Sequence, residues 1–502
     1  MDHGGRRAGG VALALTLLLA TIVSCSSSEP TASGPVTRTD KRPNVVVVMT
    51  DDQMLTDMQF LAKTKDLIGA KGTTFANNFS TFPLCCPSRA TSLTGQYAHN
   101  HHVLNNVPPD GGNDKLDHTT TMPVWLQAAG YNTAHVGKYL NGYGEESAAV
   151  VPPGYTDWFG LIDPSVLQFW DYDVLDNGTT KHYGDADTDY QTDVLANRAS
   201  DDIKRFVQQD KPFYLSVWPL APHSATGRGA PNPLSPAPAP RHKGTFANLT
   251  YPHGESFMEP DVSDKPPAVQ VVKDKIAEGL ANLNIDASGL NDLIDETYRA
   301  RAESLLAVDE LVEKIVDTLE SVGQLENTIL IFTSDNGWLL GEHGIPFAKV
   351  VLYEEAVRVP LLIRGPGFPA AATATQPVAN IDLAATIAAR AGAKPTIPVD
   401  GIDLTPLAAD PAVQKNRAIL LEEFSQKPGY KAVRAPGFMY AEYADGSAEL
   451  YDLFKDPLEL ESKDKDPAYA KTKARLSKAL TDLAGCQAAT CQVEVPQAEL
   501  RG

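Results

Sequence analysis

Four short apolar runs set the frame of this chain: residues 45–49 (Val-Val-Val-Val-Met), 213–217, 329–332 and 359–363. Runs without polar alternation belong to strands buried on both faces, the habit of parallel sheets. A helical pattern fills 297–322, where Leu305, Val308, Val312, Ile315, Leu319 and Val322 recur every three or four residues and Gly323 follows as a stop. Strands alternating with helices predict an α/β fold, a large mainly parallel β-sheet sandwiched by helices. All four runs are read as parallel strands. From about Ala418 the pattern changes to short alternating pieces, 437–443 and 448–453, before a helix near 467–484. These predict a small C-terminal α+β subdomain containing an antiparallel sheet. At 502 residues and 43% hydrophobic content the chain has ample material for such a core.

The strand ends carry the polar chemistry. The first run stops at Thr50-Asp51-Asp52, the second leads past Pro219 to Ala221-Pro222-His223, and the third to Thr333-Ser334-Asp335-Asn336-Gly337. Ligands of open α/β sheets gather at the carboxyl ends of strands, so these three termini are expected to converge. Asp51 and Asp52 repel each other unless a cation lies between them. A bare Asp-Asp pair also occurs as a solvated turn, but Asp335-Asn336 offers a second oxygen-rich strand end. Such a set suits calcium or magnesium and needs neither thiol nor imidazole.

The chain opens with Arg6 and Arg7 and an apolar stretch, 11–23, too short for an ordinary membrane span. It ends in Ile22-Val23-Ser24-Cys25 and a polar stretch, which looks like a bacterial lipoprotein signal cleaved before a lipidated Cys25. A plain secretory signal is the alternative, and both imply export. The expected organisation is a signal peptide over 1–24, a polar linker over 25–41, a catalytic domain over 42–410 and a C-terminal subdomain and tail over 411–502. The expected location is the outer face of a bacterial cell membrane, held through a lipid on Cys25. A net charge of −20 with no basic run argues against nucleic acid as a partner. Of the five cysteines, Cys486 and Cys491 are spaced to close a small disulfide in an oxidising compartment, while adjacent Cys85 and Cys86 need another explanation.

Cys85-Cys86-Pro87-Ser88-Arg89, continuing to Leu93-Thr94-Gly95, resembles the signature of the type I sulfatases of the alkaline phosphatase superfamily. Pro43-Asn44, Gly137-Lys138, Ser334-Asp335-Asn336-Gly337, Lys349 before Arg358-Val359-Pro360, and Glu449-Leu450-Tyr451-Asp452-Leu453 fit the same family. The 97–103 stretch, Gly137-Lys138-Tyr139-Leu140-Asn141 and Ala221-Pro222-His223-Ser224 are similar to its N-acetylglucosamine-6-sulfatase branch. Many sulfatases place a histidine two residues after the active-site lysine. Leu140 stands there, as in the glucosamine branch, so the resemblance implies that this proton-handling role falls elsewhere or is absent.

The resemblance implies that Cys85 is oxidised to formylglycine by a separate maturation enzyme, and that its hydrate is the nucleophile. It implies calcium, with magnesium as second choice, on Asp51, Asp52, Asp335, Asn336 and modified Cys85. Arg89 would orient the hydrate, Lys138 and Lys349 would bind sulfate oxygens, and His223 would stand near the ester oxygen. The implied substrate is a sulfated small molecule or glycan, 6-O-sulfated N-acetylglucosamine being favoured. Two alternatives remain: a phosphodiesterase or phosphonate monoester hydrolase of the same superfamily, and a non-catalytic ligand-binding lipoprotein. Residues 224–245, rich in Pro, Ala, Ser and Gly and carrying Arg228, Arg241, His242 and Lys243, read as a lid, binding loop or insertion. His99, His101 and His102 suit a structural turn or substrate contact better than zinc. His343 is expected beside the pocket without an assigned role.

Overall fold

The computed structural model describes residues 39–500 except 146, 283, 284 and 286–288. The signal segment and Cys25 lie outside the described residues. Ten strands form the main sheet: β1 (Asn44–Thr50), β2 (Thr73–Phe75), β3 (Asn132–Gly137), β4 (Asp157–Leu161), β5 (Tyr172–Asp176), β6 (Thr179–Tyr183), β7 (Phe213–Trp218), β8 (Thr328–Ser334), β9 (Leu361–Arg364) and β10 (Ala372–Ala374). Their spatial order is β10-β2-β9-β8-β1-β7-β3-β4-β5-β6. The central five, β8-β1-β7-β3-β4, are parallel, and antiparallel pairings appear toward both edges.

Successive residues of β1 feed opposite cores, as the two-residue period of a strand requires. Val46 and Val48 pack with α2 (Gln191–Phe206, following α1 at Cys85–Thr94) and with α3 (Leu290–Ser321). Val45, Val47 and Met49 pack with α1 and with α4 (Ile381–Ala391) on the other face. The sheet is therefore covered on both sides. Leu305, Val308, Val312, Ile315 and Leu319 of α3 line its buried stripe. This helix starts at Leu290, earlier than the 297 expected, because Leu293 and Ile294 extend the apolar face into a cluster with Phe60 and Tyr298. Among the described residues no helix is long and apolar enough to cross a membrane.

One strand runs against expectation. β9, which overlaps the 359–363 run, pairs antiparallel with both β8 and β2. A parallel return needs a long crossover, usually a helix. Here the chain between β8 and β9 is taken up by a two-strand hairpin (Leu339–Leu340 with Pro346–Ala348) and one helical turn (Glu354–Val357), so it reverses at the sheet end.

Beyond the main sheet, β11 (Ile419–Glu423), β12 (Tyr430–Ala435), β13 (Phe438–Tyr443) and β14 (Ala448–Asp452) form an antiparallel meander. The helix α5 (Ala470–Leu483) joins its core through Leu476, Ala479, Leu480 and Leu483. Cys486 and Cys491 form a disulfide just after it. Residues 224–245 are tied to the helices: Arg241 bridges Asp193 of α2 and Glu310 of α3 at 2.6 and 2.5 Å.

Candidate functional site

In the sheet register Thr50 of β1 lies opposite Ser334 of β8, so Asp51-Asp52 and Asp335-Asn336 leave the sheet side by side. Asp52 takes a left-handed backbone (φ 63°), a region open to Asp, and its N–H donates to Asp335 Oδ1 at 3.1 Å. Asn336 Nδ2 donates to Asp52 Oδ1 at 2.6 Å. One oxygen from each of Asp51, Asp52 and Asp335 lies within 4.8 Å of the others, and all three side chains are buried.

Cys85 opens α1 and faces this cluster. Its Sγ lies 3.6 Å from Asp51 Oδ1, 3.0 Å from Lys349 Nζ and 3.8 Å from Lys138 Nζ. Cys86 turns away into the core under α1, where its Sγ accepts the Asn141 N–H at 3.1 Å. Burial, then repulsion from Asp51, pushes the Cys85 thiol up to about 11. Burial, then the nearby Cys85, pushes Cys86 up to about 12.

Three permanent cations answer three carboxylates. Lys138, directly after β3, contacts Asp51, and Lys349, after the hairpin, contacts Asp52. Arg89 on α1 is fully buried: Nε donates to Asp335 Oδ2 at 2.8 Å and Nη1 to the Lys138 carbonyl at 2.8 Å, with the guanidinium 5.3 Å over Trp218. Burial opposes the charge on Asp51, yet Lys138 and Arg89 overcome it and hold this carboxyl well below the usual range. At Asp335 burial, joined by repulsion from Asp51, prevails and lifts the carboxyl to about 6. His223 stands with Nε2 3.6 Å from Asp52 Oδ2. Its Nδ1 lies 2.7 Å from the Ser224 carbonyl, which can only accept, so the proton is on Nδ1 and the neutral ring turns Nε2 to the site. Burial holds His223 below its ordinary value.

The donor set fits a hard divalent cation. It is made of oxygens, and the buried Asn336 Oδ1 has no hydrogen-bond partner. Such an ion would leave the pocket net positive inside an acidic chain, a setting for an anion. All nine residues singled out in the sequence for metal or anion chemistry meet here. Arg301 was missed: its Nη2 donates to the Asp52 carbonyl at 2.6 Å and to Asp57 Oδ2 at 2.8 Å, fixing the turn that carries the acids. A signal existed, since Arg301 lies four residues before Leu305 and so on the apolar stripe of α3.

The other histidines serve elsewhere. His99 Nδ1 pairs with Glu422 Oε1 at 2.9 Å, and His101 Nε2 with Thr91 Oγ1 at 3.0 Å, while His102 is exposed. His343 packs on Tyr353 with ring centroids 3.9 Å apart and bonds Glu259.

The Sulfatase family model matches residues 43–393, and that of the N-sulphoglucosamine sulphohydrolase C-terminal region matches 341–485. The N-acetylglucosamine-6-sulfatase of Homo sapiens is 37% identical over 403 residues, 78% of this chain and 68% of that protein. The arylsulfatase of Volvox carteri is 37% identical over 391 residues, 73% of this chain but 58% of that protein, so the chain spans under two thirds of its length. A solved structure in complex with its substrate D-glucosamine-2-N,6-O-disulfate superposes with a TM-score of 0.73 at 24% identity, covering 88% of this chain and 97% of that one. A phosphonate monoester hydrolase from Silicibacter pomeroyi superposes at 0.69 and 22% identity, covering 88% and 94%.

Proposed function

Because the chain belongs to the sulfatase family, we propose that it hydrolyses a sulfate ester to an alcohol and inorganic sulfate at the site around Cys85. The observation that supports this most is the meeting of Cys85 Sγ with Lys349 Nζ at 3.0 Å and Asp51 Oδ1 at 3.6 Å over the strand ends. Asp51, Asp52, Asp335 and Asn336, with the modified Cys85 side chain, would hold calcium. A buried cage of protein oxygens suits calcium better than magnesium, which keeps several waters. When bound, the cation supplies charge stabilisation to sulfate oxygens. When installed at Cys85, formylglycine supplies as its hydrate a nucleophilic hydroxyl and a second hydroxyl for sulfate release.

The chain's own residues do the rest. Lys138 and Lys349 grip sulfate oxygens as point charges, which suits a tetrahedral anion. Arg89 fixes Asp335 and the backbone at Lys138, and from one helical turn beyond Cys85 it would orient the hydrate. His223 handles the ester oxygen at Nε2, the atom left free once Nδ1 donates to Ser224. Leu140 is buried among apolar neighbours and takes no proton.

We favour a 6-O-sulfated N-acetylglucosamine, or a small sulfated glycan carrying it, as substrate. Two findings support it: the human relative bears that activity in its name, and the solved neighbour holds a sulfated glucosamine. A further reading is phosphonate monoester hydrolysis, favoured by the fold shared with that hydrolase. The protein would be exported, anchored to a bacterial membrane through lipid on Cys25, and matured by a formylglycine-generating enzyme.

Mass spectrometry of the tryptic peptide 72–89 from the native host tests the mechanism. An aldehyde or its hydrate at Cys85 with Cys86 as thiol supports it, whereas an unmodified Cys85 removes the nucleophile and leaves a binding scaffold. Comparing turnover of p-nitrophenyl sulfate and phenyl phosphonate separates the two hydrolase readings.

A further inference from the structure

We propose that the chain carries a second divalent-cation site, suited to zinc or a similar transition ion, built from His343, Glu355 and Glu459. One donor atom from each lies within 4.8 Å of the others, and the site shares no residue with the cluster at the strand ends.

Two orphaned atoms support a ligand there. His343 is fully buried and its Nε2 has no hydrogen-bond partner; Glu459 is 1% exposed and its Oε1 has none either. A buried polar atom left without a partner is costly unless something occupies it. The partnered atoms are those expected of ligands held by a supporting shell. His343 Nδ1 lies 2.8 Å from Glu259 Oε2, which accepts its proton and leaves the Nε2 lone pair free. This carboxylate–imidazole arrangement is the one that fixes metal-binding histidines. Glu259 is in turn held by Lys265 at 3.3 Å, and Tyr353 packs against the imidazole. Glu459 Oε2 accepts the Glu354 N–H at 3.0 Å, which leaves Oε1 as the available oxygen.

The charges point the same way. Arg434 and Arg358 each give Glu354 one hydrogen bond, at 2.9 and 3.1 Å, and their remaining bonds go to backbone carbonyls, so Glu459 feels Arg434 only through its charge. Burial, with repulsion from Glu342, lifts Glu355 to about 8, and burial with repulsion from Glu354 and Glu355 lifts Glu459 well above the usual range. A divalent ion would relieve both. One imidazole nitrogen with two carboxylate oxygens selects zinc, cobalt or manganese over calcium. Its position suggests its use. His343 lies in the hairpin turn whose exit leads to Lys349, Glu355 in the helical turn before β9, and Glu459 in the loop after β14. The ion would pin the C-terminal part to the segment that carries Lys349.

The test is metal content of the full mature chain, stripped with chelator, equilibrated with Zn2+ at micromolar free concentration and desalted. The expected result is a zinc equivalent that persists in Asp52→Asn and is lost in His343→Gln and Glu459→Gln. Glu355→Gln, at a less buried position, guards against misfolding and should weaken Zn2+ binding at least tenfold, and Glu259→Gln by about 10–100-fold. Cobalt substitution should give a visible absorption band that His343→Gln erases while the far-ultraviolet dichroism is unchanged. Zinc content indifferent to His343, Glu355 and Glu459, or no zinc retained by the parent chain, would overturn the proposal. Loss of zinc only with Asp52→Asn would overturn it too. None of these outcomes depends on sulfate-ester turnover.

Discussion

The carboxylates at the ends of β1 and β8 are all buried, Glu459 beside His343 is buried and Glu355 partly so, and the two groups are differently answered. Asp51, Asp52 and Asp335 face two ammonium groups and a guanidinium. Glu355 and Glu459 sit with an imidazole and other carboxylates, and the guanidinium of Arg434, paired with Glu354, reaches Glu459 only through its charge. In the first cluster the charges separate, one carboxyl held far down and another lifted to about 6. In the second cluster Glu355 and Glu459 both go up. A site that must receive an anion needs fixed positive charge in place beforehand. A site that only joins segments can leave its neutralisation to an ion or a proton. The difference is the one expected if the first cluster carries the proposed chemistry and the second the proposed cohesion.

The sharpest break would come at the nucleophile. Cys85→Ala should lower turnover of a sulfated N-acetylglucosamine by at least about a thousandfold, read as released sulfate. Lys349→Ala and Lys138→Ala should each cost about 100–1000-fold in kcat, as loss of a single charge-stabilising donor does. Turnover within a few-fold of the parent in either lysine variant would contradict the anion-holding role. The second cluster should respond in stability: zinc at a hundred times its Kd should stabilise the parent by about 2.7 kcal/mol and Glu459→Gln not at all, read by thermal unfolding.

Two smaller effects probe the C-terminal part. Cys486→Ser with Cys491→Ser opens a short loop and should cost about 2 kcal/mol, seen as a lower denaturant midpoint. At His99 burial works against the charge, but the bond to Glu422 wins and holds the imidazole above its ordinary value. The folded state therefore binds this proton more tightly than the unfolded one. Its contribution is complete below about pH 6.5 and fades as pH rises through the folded value. His99→Gln should flatten that part of the pH–stability curve, read as denaturant midpoints measured between about pH 5 and 8.

What the sequence revealed follows from range. The 45–49 and 329–332 runs announced β1 and β8 because continuous β-branched and apolar residues have few other uses, and their polar ends marked the site. The C-terminal meander showed through its alternation. The direction of β9 was hidden, since an apolar run carries no arrow; it depended on how the hairpin and Lys349 consumed the connecting chain. The edge strand β6 was hidden too, with Thr179–Tyr183 largely exposed and lacking an apolar signal. Glu355 and Glu459 come together only through the packing of segments about a hundred residues apart, with Glu354 bonding Glu459 across a separation of 105.

Arg89 reaches Asp335 across 246 residues of chain. At 5–20 residues per second a ribosome needs roughly 10–50 s to span that distance. For that interval the cysteine pair beside Arg89 has been synthesised while the strand end that later encloses it has not. The site cannot close before that strand end is made, so the maturation enzyme proposed for Cys85 would have at least this interval in which to find the segment open.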